Sequence, residues 1–568
     1  MEQSPKELFS ISLSHIGVAL GFPKEKLSSI VVEPPKNETF GDYATSLPLS
    51  LFTKGESYNN PMEMAQTFVE QLREQKDLKK YFSDFTAAAP GFINATLSDA
   101  WYQKVLVDIA SEKKTFGSSL KGKGNIGVVD LSAPNIAKRF SIGHLRSTII
   151  GDAIIKLFRF QGWTMIGDNH LGDWGTQFGK MIVAIQKWAE KPVEQLTIPE
   201  LENLYVRFHS EAEKNPELDD EARAAFKALE DGNKEERAMW QTLVDNSIKE
   251  FDTLYDFLGV HIDEAYGESA YTGLMPEVIA LAKKKGIAKE SEGALIIPFP
   301  DPDMPPGILL KKDGATTYFT RDLATIFFRQ KTWHPTKIIY EVGAEQTLHL
   351  RQVFWASELL GFGNRDMFVH VAHGFVRLKE GRMSTRKGTS IKLEEVLTKI
   401  VEKAKTLNAD DEIADIIGVG ALKYNDLKRT PSQGYTFDWD EALQLDGNSG
   451  PYLQYTAVRC KGILEKGGDI EEKKSLFYTP ETDERLVARL LSQFPDVVTA
   501  TAYSYMPSTL CTYLYALCQK FSSFYENHSV TNAETEEAKA YRLLLTQGVL
   551  TVITNGLSLL GIQIPEKM

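Results

Sequence analysis

Residues 126–148 combine an apolar run, a loop with proline and glycine, and a helix-period stretch that begins near Gly143 and His144. Phosphate is favoured at a helix N-terminus because free N–H groups and the helix dipole point toward it. A histidine there can donate to a phosphate oxygen as charge develops during transfer. Such a pair is by itself more often a plain turn, so its significance depends on the rest of the sequence.

A second candidate is the basic loop at 381–388, which carries Arg382, Met383 and Ser384. Phosphoryl transfer is stabilised mainly by positioned cations and hydrogen-bond donors, so a loop of this kind can clamp a polyphosphate. Basic runs are more commonly solvated surface loops. Both interpretations stay open for this loop taken alone.

Tyr318 and Asp322 are four residues apart and share one face if the segment is helical. In that arrangement the ring packs on a cationic side chain while the carboxylate accepts from the planar fork of a guanidinium. The alternative is that Asp322 is an ordinary surface carboxylate or pairs with its neighbour Arg321. The spacing therefore indicates a candidate guanidinium site without deciding it.

The composition limits the class of protein that can hold these residues. At 568 residues the chain is too long for one core, so several domains are expected. There is no signal-like start, no membrane-length apolar run, and only three cysteines, without CxxC spacing or a His/Cys cluster. These features favour a cytoplasmic protein without structural zinc. A net charge of −13 alone argues against a nucleic-acid partner, although an acidic surface can coexist with one basic groove.

Hydrophobic patterning divides the chain into four regions. Strand-like runs near 126–131, 163–166, 337–342 and 367–372 alternate with helical stretches, which predicts a parallel, doubly wound sheet. The predicted regions are an N-terminal α+β domain at 1–118, the sheet domain at 119–380 with a helical insertion at about 186–295, a connecting region with the basic loop at 381–445, and a helical bundle at 446–568. The carboxyl ends of the strands would position the candidate residues.

The tetrapeptide Ser-Ile-Gly-His at 141–144 resembles the signature of class I aminoacyl-tRNA synthetases, His-x-Gly-His, with Ser141 in place of the first histidine. The basic loop is similar to the second signature, Lys-Met-Ser-Lys-Ser, with Arg382 and Thr385 in the registers of the two lysines. Two signatures about 240 residues apart, in the right order, argue strongly against chance agreement. The flanking residues and several further segments resemble arginyl-tRNA synthetases in particular: 132–138, 145–148, 170–179, 318–324 and 343–349.

The resemblance implies an α/β fold with a Rossmann-type doubly wound parallel sheet in the catalytic domain and a helical insertion. It further implies an α+β N-terminal domain that contacts the outer corner of tRNA, and an all-α C-terminal anticodon-binding bundle. The implied reaction activates L-arginine with ATP and Mg²⁺ to arginyl-adenylate. The arginyl group is then transferred to the 2′-hydroxyl of the terminal adenosine of tRNA(Arg). The implied enzyme is a monomer that contains no zinc and binds no membrane.

The resemblance also assigns roles to individual residues. It implies catalysis by His144, Lys138, Ser141, Arg382 and Ser384. It implies arginine binding by Asp130, Asn135, Tyr318, Asp322 and Gln346. It implies ATP binding by Gly143, His144, Gly172, His373, Gly374, Phe375 and Met383, with the glycines of 170–179 shaping the site or serving packing. For tRNA, base stacking is expected from Tyr452 and Tyr455 beside Arg459, although each tyrosine can equally be a half-polar core residue.

Two of these roles involve departures from the class pattern. A hydroxyl at Ser141 donates a hydrogen bond but carries no charge, so its function stays open. The second lysine of the basic loop is replaced by Thr385, and Lys138, six residues before His144, is interpreted as the cation that substitutes for it. The alternative for Lys138 is a solvated loop residue.

Two other functions are weighed against this one. Another class I synthetase, of the cysteinyl or glutaminyl type, is the first, but cysteinyl enzymes need zinc and the sequence offers no ligand set. A non-catalytic RNA-binding relative is the second, and the presence of both His144 and the basic loop argues against it.

Overall fold

The computed structural model describes residues 4–35, 37–54, 57–378, 392–470, 472–475 and 477–568. The chain forms two compact units. The first comprises Met1–Phe116, Arg459–Pro495 and Ala516–Ile553, and the second comprises Gly117–Val458, Asp496–Tyr515 and Thr554–Met568. The C-terminal helices therefore divide between the two units.

Twelve strands lie within the described residues: β1 (Tyr43–Thr45), β2 (Phe82–Ala88), β3 (Phe92–Leu97), β4 (Ile126–Asp130), β5 (Thr164–Asp168), β6 (Lys289–Ser291), β7 (Ala294–Ile297), β8 (Gly307–Leu310), β9 (Lys337–Gly343), β10 (Phe368–His373), β11 (Val376–Leu378) and β12 (Tyr435–Phe437). Sheets β1–β3–β2 and β6–β7–β8 are antiparallel, whereas β10–β9–β4–β5 and the pair β11–β12 are parallel.

The α-helices of the described residues are α1 (Pro5–Ala19), α2 (Leu47–Leu51), α3 (Pro61–Glu74), α4 (Asp99–Glu112), α5 (Ile142–Phe160), α6 (Thr176–Trp188), α7 (Ile198–Ala212), α8 (Glu217–Glu230), α9 (Lys234–Leu258), α10 (Met275–Lys284), α11 (Tyr318–Trp333), α12 (Thr347–Leu360), α13 (Leu393–Ala404), α14 (Asp411–Leu427), α15 (Trp439–Ala442), α16 (Gly450–Gly467), α17 (Glu472–Ser475), α18 (Thr482–Ser504), α19 (Pro507–Asn527) and α20 (Glu536–Leu559).

The four-stranded parallel sheet is the frame of the second unit, and each of its strands coincides with a strand predicted from the sequence. Its strand order, β10–β9–β4–β5, places the first strand along the chain beside β5 on one side and β9 on the other. The chain thus adds strands first on one side of β4 and then on the other, so the boundary between β4 and β9 is the topological switch point of a doubly wound sheet. Ligands bind at such a point, beyond the carboxyl ends of the strands. The predicted fold class is confirmed, including the α+β N-terminal region and the helical C-terminal region.

Helix α5 follows β4 and packs on the sheet with the face that the sequence predicted. Ile150, Ala153, Ile154 and Leu157 recur at helical spacing and are all but fully buried. On the same face, a Cβ at Gly151 would lie 2.6 Å from Leu131 Cβ. The close packing of α5 on the chain after β4 fixes the amino end of the helix at the carboxyl edge of the sheet.

The insertion differs from the predicted pattern in two places. The charge pattern of 221–251 predicts one helix, but the stretch is divided between α8 and α9, because Gly232 takes a φ of 86° and Asn233 caps α9 through the N–H of Glu235. The end of the range 186–295 also carries β6 and part of β7 rather than helix.

In the first unit, the buried side chain of Asp42 connects several elements. Its carboxylate accepts from Leu97 N and from the Tyr102 hydroxyl, both at 2.7 Å, and pairs with Arg489 at 3.0 Å. One carboxylate thus joins the N-terminal sheet to α4 and to α18.

Candidate active site at the carboxyl edge of the parallel sheet

The carboxyl ends of three parallel strands meet at a cavity of about 510 Å³ in the second unit. Asp130 ends β4, Gly343 ends β9 and His373 ends β10, and all three line the cavity. Most of the other predicted site residues that the structure describes also line it: Asn135, Ser141, Gly143, His144, Gly172, Asp322, Gln346, Gly374 and Phe375. Residues far apart in the sequence are therefore collected at the switch point of the sheet.

The loop between β4 and α5 has an uncommon backbone conformation. Ser132, Ala133 and Ala137 have φ angles of 67°, 48° and 59°, in the left-handed region that a Cβ disfavours. Hydrogen bonds from neighbouring helices hold this shape: Ser132 N donates to Ser147 Oγ and Ala137 N to Ser247 Oγ, each at 2.9 Å. A loop held in advance presents its groups to a ligand with little reorganisation.

Asn135 and Gly172 are joined across the cavity wall by a parallel β-bridge. Ile136 N donates to Gly172 O at 3.2 Å, and Gly172 N donates to Pro134 O at 3.0 Å. A Cβ on Gly172 would lie 2.6 Å from Asn135 Oδ1, so glycine lets the Asn135 amide keep its place. Gly172 thus shapes the site, and its predicted contact with ATP stays a prediction.

His144 is the third residue of α5, and Ser141 orients its ring. The backbone N–H of Ser141 donates to His144 Nδ1 at 3.2 Å, and Ser141 Oγ lies 3.3 Å from the same nitrogen. Burial, together with the charges of Lys138, His373 and Lys392, lowers the pKa of His144 to about 4. A neutral ring that accepts at Nδ1 carries its proton on Nε2. Ser141 therefore sets the tautomer, and His144 offers one N–H donor.

Arg146 is fully buried and connects α5 to the chain after β10. Its guanidinium pairs with Asp426 at 3.1 Å and donates to the carbonyl oxygens of Gly374 and Gln433, each at 2.7 Å. Gly374 lies in the cavity wall, so one side chain fixes that wall relative to His144. The sequence analysis missed Arg146, although a charged residue on the apolar face of a predicted helix was a signal for it.

Asp322 contacts an imidazole rather than its neighbour in sequence. His349 Nε2 lies 2.5 Å from Asp322 Oδ2, and His349 also lines the cavity. The His349 ring packs on Tyr318 with 4.6 Å between ring centroids. Tyr318 itself is 63% exposed beside the cavity. Tyr318 and Asp322 thus lie together on α11 as predicted, and both contact His349, to which the sequence analysis gave no role.

Glu268 and Arg321 are further residues that the sequence analysis did not place in the site. Arg321 Nη1 donates to Glu268 at 2.9 Å, and Glu268 lines the cavity. Burial raises the pKa of the Glu268 carboxyl, against the opposing effect of Arg321. Arg321 thus pairs with Glu268 rather than with Asp322, which leaves Asp322 facing the cavity. Glu268 reaches this place from the short 3₁₀ segment Glu268–Leu274, which carries no recognisable motif.

Asp130 is held by an internal arginine. Arg329 of α11 is fully buried and pairs with Asp130 at 2.6 Å and with Asp168 at 2.7 Å. Although burial opposes it, the two carboxylates keep the pKa of Arg329 well above its usual value. One oxygen of Asp130 is therefore occupied within the protein, and its predicted contact with arginine stays a prediction.

Several predicted residues lie away from the cavity wall or outside the described residues. Lys138 Nζ lies 4.9 Å from the ring centroid of Tyr205. Arg382, Met383 and Ser384 fall outside the described residues.

The three predicted tRNA contacts all lie on α16. Tyr452 is partly buried, with its ring edge-on to Tyr515 at 5.8 Å. Tyr455 is 42% exposed, and the guanidinium of Arg459 lies 4.3 Å from the ring centroid of Tyr525. The Tyr452 ring thus packs in part against Tyr515, and Tyr455 presents the more exposed ring.

The described residues contain neither a metal-binding cluster nor a membrane-length apolar helix. Among them, no three His, Cys, Asp or Glu side chains lie together as a metal-binding group. No described helix combines the length and apolarity needed to cross a bilayer.

The doubly wound sheet with Gly143 and His144 at the helix N-terminus beyond its first strand agrees with the class I aminoacyl-tRNA synthetases, and family models show that the chain belongs to this class. The model for the catalytic domain of class I tRNA synthetases (R) matches residues 105–439. The models for the arginyl tRNA synthetase N-terminal domain and for the DALR anticodon-binding domain match residues 6–97 and 453–568.

Individual relatives narrow the class to one family. Curated arginine–tRNA ligases from Halothermothrix orenii and Clostridioides difficile are 39% and 38% identical to this chain, each with 96% of both chains covered. The chain belongs to the arginyl-tRNA synthetase family, whose members are arginine–tRNA ligases, and the function predicted from the sequence is thereby confirmed.

Solved structures agree with this assignment. The crystal structure of arginyl-tRNA synthetase from Plasmodium falciparum is similar with a TM-score of 0.84 and 25% identity, covering 100% of both chains. The Thermus thermophilus arginyl-tRNA synthetase has a TM-score of 0.83 at 22% identity, covering 99% of this chain and 100% of its own, and shows the shared fold.

Proposed function

We propose that the cavity beyond β4, β9 and β10 binds arginine and ATP together and forms arginyl-adenylate. The observation that carries this proposal is the meeting of two kinds of side chain in one cavity wall. Asp322 and Glu268 supply carboxylates, and His144 and His373 supply imidazoles. Arginine is a cation and ATP a polyanion, so each substrate finds groups of complementary character.

In the proposed arginine site, Asp322 is the main acceptor for the guanidinium. A carboxylate matches the planar donor fork in a bidentate arrangement, and His349 fixes the rotamer of Asp322 through Oδ2. Tyr318 supplies an aromatic face for the substrate side chain. Asn135 and Gln346 in the cavity wall supply polar contacts to the amino and carboxylate groups, with Asp130 adding negative charge beside them.

In the proposed ATP site, the phosphates approach the start of α5. The free N–H groups there, next to Gly143, and the Nε2–H of His144 donate to phosphate oxygens. His373, Gly374 and Phe375 would contact the adenosine, where Phe375 is 66% exposed and offers its ring to a base. Gly172 and Met383 complete the proposed set.

Catalysis then consists mainly of orientation and charge neutralisation. The arginine carboxylate attacks the α-phosphorus of ATP in line, and the bond to the bridging oxygen breaks as pyrophosphate leaves. His144, with Lys138, Arg382 and Ser384, is proposed to stabilise the charge that develops on the phosphate oxygens. ATP enters as its Mg²⁺ complex. The 2′-hydroxyl of the terminal adenosine of tRNA(Arg) then attacks the adenylate carbonyl and releases AMP.

The proposal also covers the tRNA contacts, the oligomeric state and the compartment of the enzyme. Tyr455, with Tyr452 and Arg459 on the same helix, would contact anticodon bases. The enzyme is proposed to be a monomer, and a reducing compartment such as the cytoplasm is supported by three buried free cysteines. Sedimentation of the full chain tests the monomer directly.

The test of the arginine site compares Asp322→Asn with Asp301→Asn, which affects a carboxylate paired with Arg351 at 3.3 Å. Asp322→Asn leaves the substrate guanidinium poorly paired, and a loss of ~2–5 kcal/mol is expected, mainly in the KM for arginine. The KM for ATP should stay within about twofold of that of the wild type. A wild-type arginine KM in Asp322→Asn would place the guanidinium elsewhere.

A further inference from the structure

Helix α7, in the insertion, presents Glu202 and Tyr205 toward the loop that precedes α5. Leu201 and Phe208 of the same helix are fully buried and hold it against the other insertion helices. Residues three apart lie on the same side of a helix, so Glu202 and Tyr205 are placed together. Glu202 pairs with Arg139 and Lys392, and Tyr205 contacts Lys138.

Glu202 holds two cations at once. Its Oε2 accepts from Arg139 Nε at 2.9 Å, and its Oε1 accepts from Lys392 Nζ at 2.5 Å. The side chain of Lys392 is 3% exposed and that of Glu202 16%, so the ion pair lies largely out of solvent. Removing one partner of such a pair leaves an uncompensated charge. Glu202 thus joins both cations through one carboxylate, and Arg139 also lies 3.8 Å from Glu395.

The backbone shows where these cations act. Ser141, which orients His144, forms an antiparallel bridge with Lys392, and Leu393 N donates to Phe140 O at 2.9 Å. The start of α13 is therefore joined to the start of α5 at the residues next to His144. The Glu202 ion pairs hold this junction from the side of the insertion.

Tyr205 contacts the third cation of the group. Lys138 Nζ lies 4.9 Å from the centroid of the Tyr205 ring. The Tyr205 and His209 rings pack in a T-shaped arrangement, with 4.7 Å between their centroids. Lys138 is near enough to His144 for its charge to lower the pKa of that histidine, after burial and together with Lys392. A cation–π contact is weaker than a charge-assisted bond to phosphate, so bound ATP can draw Lys138 away from Tyr205.

We propose that Glu202 and Tyr205 are positioning residues for adenylate formation, which hold Arg139, Lys392 and Lys138 around the start of α5. The insertion thereby acts on the chemical step through one helix face. The part of this proposal that concerns Tyr205 rests on the proposed function of Lys138 at the phosphates. The part that concerns Glu202 acts through the junction of α5 and α13.

The experiment measures single-turnover arginine activation by the full chain, with tRNA present, for Glu202→Gln, Tyr205→Leu and Tyr205→Phe. Glu202→Gln and Tyr205→Leu should slow the step on the order of 10- to 100-fold, because small misplacements of catalytic groups have effects of this size. The KM for arginine should change less than about twofold. Tyr205→Phe keeps the ring and should react at the wild-type rate.

Two comparisons separate positioning from simple destabilisation. Glu211→Gln, on the same helix, removes an exposed pair with Lys214 and should match the wild type in rate, while melting temperatures report folding for every variant. Tyr205→Leu added to Lys138→Ala should slow the reaction no further than Lys138→Ala alone.

Two results separate the positioning role of Glu202 and Tyr205 from the proposed function of Lys138. A slow Lys138→Ala enzyme together with wild-type rates in Glu202→Gln and Tyr205→Leu would overturn the positioning role alone. A wild-type rate in Lys138→Ala would overturn the proposed function of Lys138 and, with it, the role of Tyr205.

Discussion

Asp130, at the end of the first strand of the catalytic sheet, forms a 2.6 Å ion pair with Arg329, a fully buried arginine of the enzyme itself. The same guanidinium also pairs with Asp168 at the end of the neighbouring strand. An enzyme that must recognise a guanidinium thus keeps one of its own beside the cavity. Asp322, whose contact is an imidazole, is the carboxylate more available to the substrate.

This relationship predicts different effects for two acidic residues. Asp130→Asn removes one of the two carboxylates that compensate Arg329, so the free energy of unfolding should fall by about 3 kcal/mol. Urea unfolding of the full chain measures this loss. The arginine KM should rise less than in Asp322→Asn, because Asp130 is already paired within the protein. A stable Asp130→Asn enzyme with a strongly raised arginine KM would show direct substrate binding by Asp130.

His144 should matter for the chemical step and not for arginine binding. Its Nε2–H is the donor that faces the cavity, and loss of one preorganised donor to a developing charge typically costs ~10²–10³ in rate. His144→Ala should therefore slow adenylate formation by that factor, with the dissociation constant of arginine unchanged. Single-turnover activation and equilibrium binding give the two numbers, and an unimpaired variant would exclude His144 from the mechanism.

The same histidine predicts a pH dependence of stability. Its pKa is lowered from 6.5 to about 4 in the folded chain, so between these values the unfolded chain binds the proton more strongly. The free energy of unfolding should consequently decrease as the pH falls from 6.5 toward 4, with no contribution from His144 above that range. Denaturant unfolding at pH 7 and pH 5 should show a smaller decrease for His144→Asn than for the wild type. Equal decreases would mean that His144 titrates normally.

The sequence was sufficient for the catalytic sheet and helix α5 because hydrophobic periodicity is a local signal. The same signal failed between α8 and α9, where Gly232 and Asn233 interrupt a stretch whose charge pattern continues across the break. Propensity and periodicity carry little information about a turn of two or three residues.

The sequence predicted those site residues that lie within recognisable motifs. His144, Asn135 and Asp322 belong to recognisable segments, but a segment read locally does not show which distant side chain each residue contacts. Asp130 and Arg329 are 199 residues apart in the sequence, and Asp322 and His349 are 27 apart. Such pairings are set by the packing of the sheet and its helices, which one sequence read locally does not contain. The positioning function of Arg146 was missed for the same reason.

The last prediction concerns the cation near the transferred phosphate. Thr385 stands where the class signature carries its second lysine, yet the phosphoryl transition state still needs positive charge beside it. Lys138 is on the loop before α5, and its charge reaches His144, where it contributes to the lowered pKa. Lys138→Ala should therefore slow adenylate formation severely, on the order of 10²–10³-fold, while the affinities for arginine and tRNA stay near wild type.

Adding Thr385→Lys to Lys138→Ala should restore part of the rate, since a lysine in that register returns a cation to the class position. Thr385→Lys alone is the matched control and should change the wild-type rate little. Single-turnover activation measures all three variants under one condition. A Lys138→Ala enzyme with normal activation, or a double variant as slow as Lys138→Ala itself, would contradict the substitution of one lysine for the other.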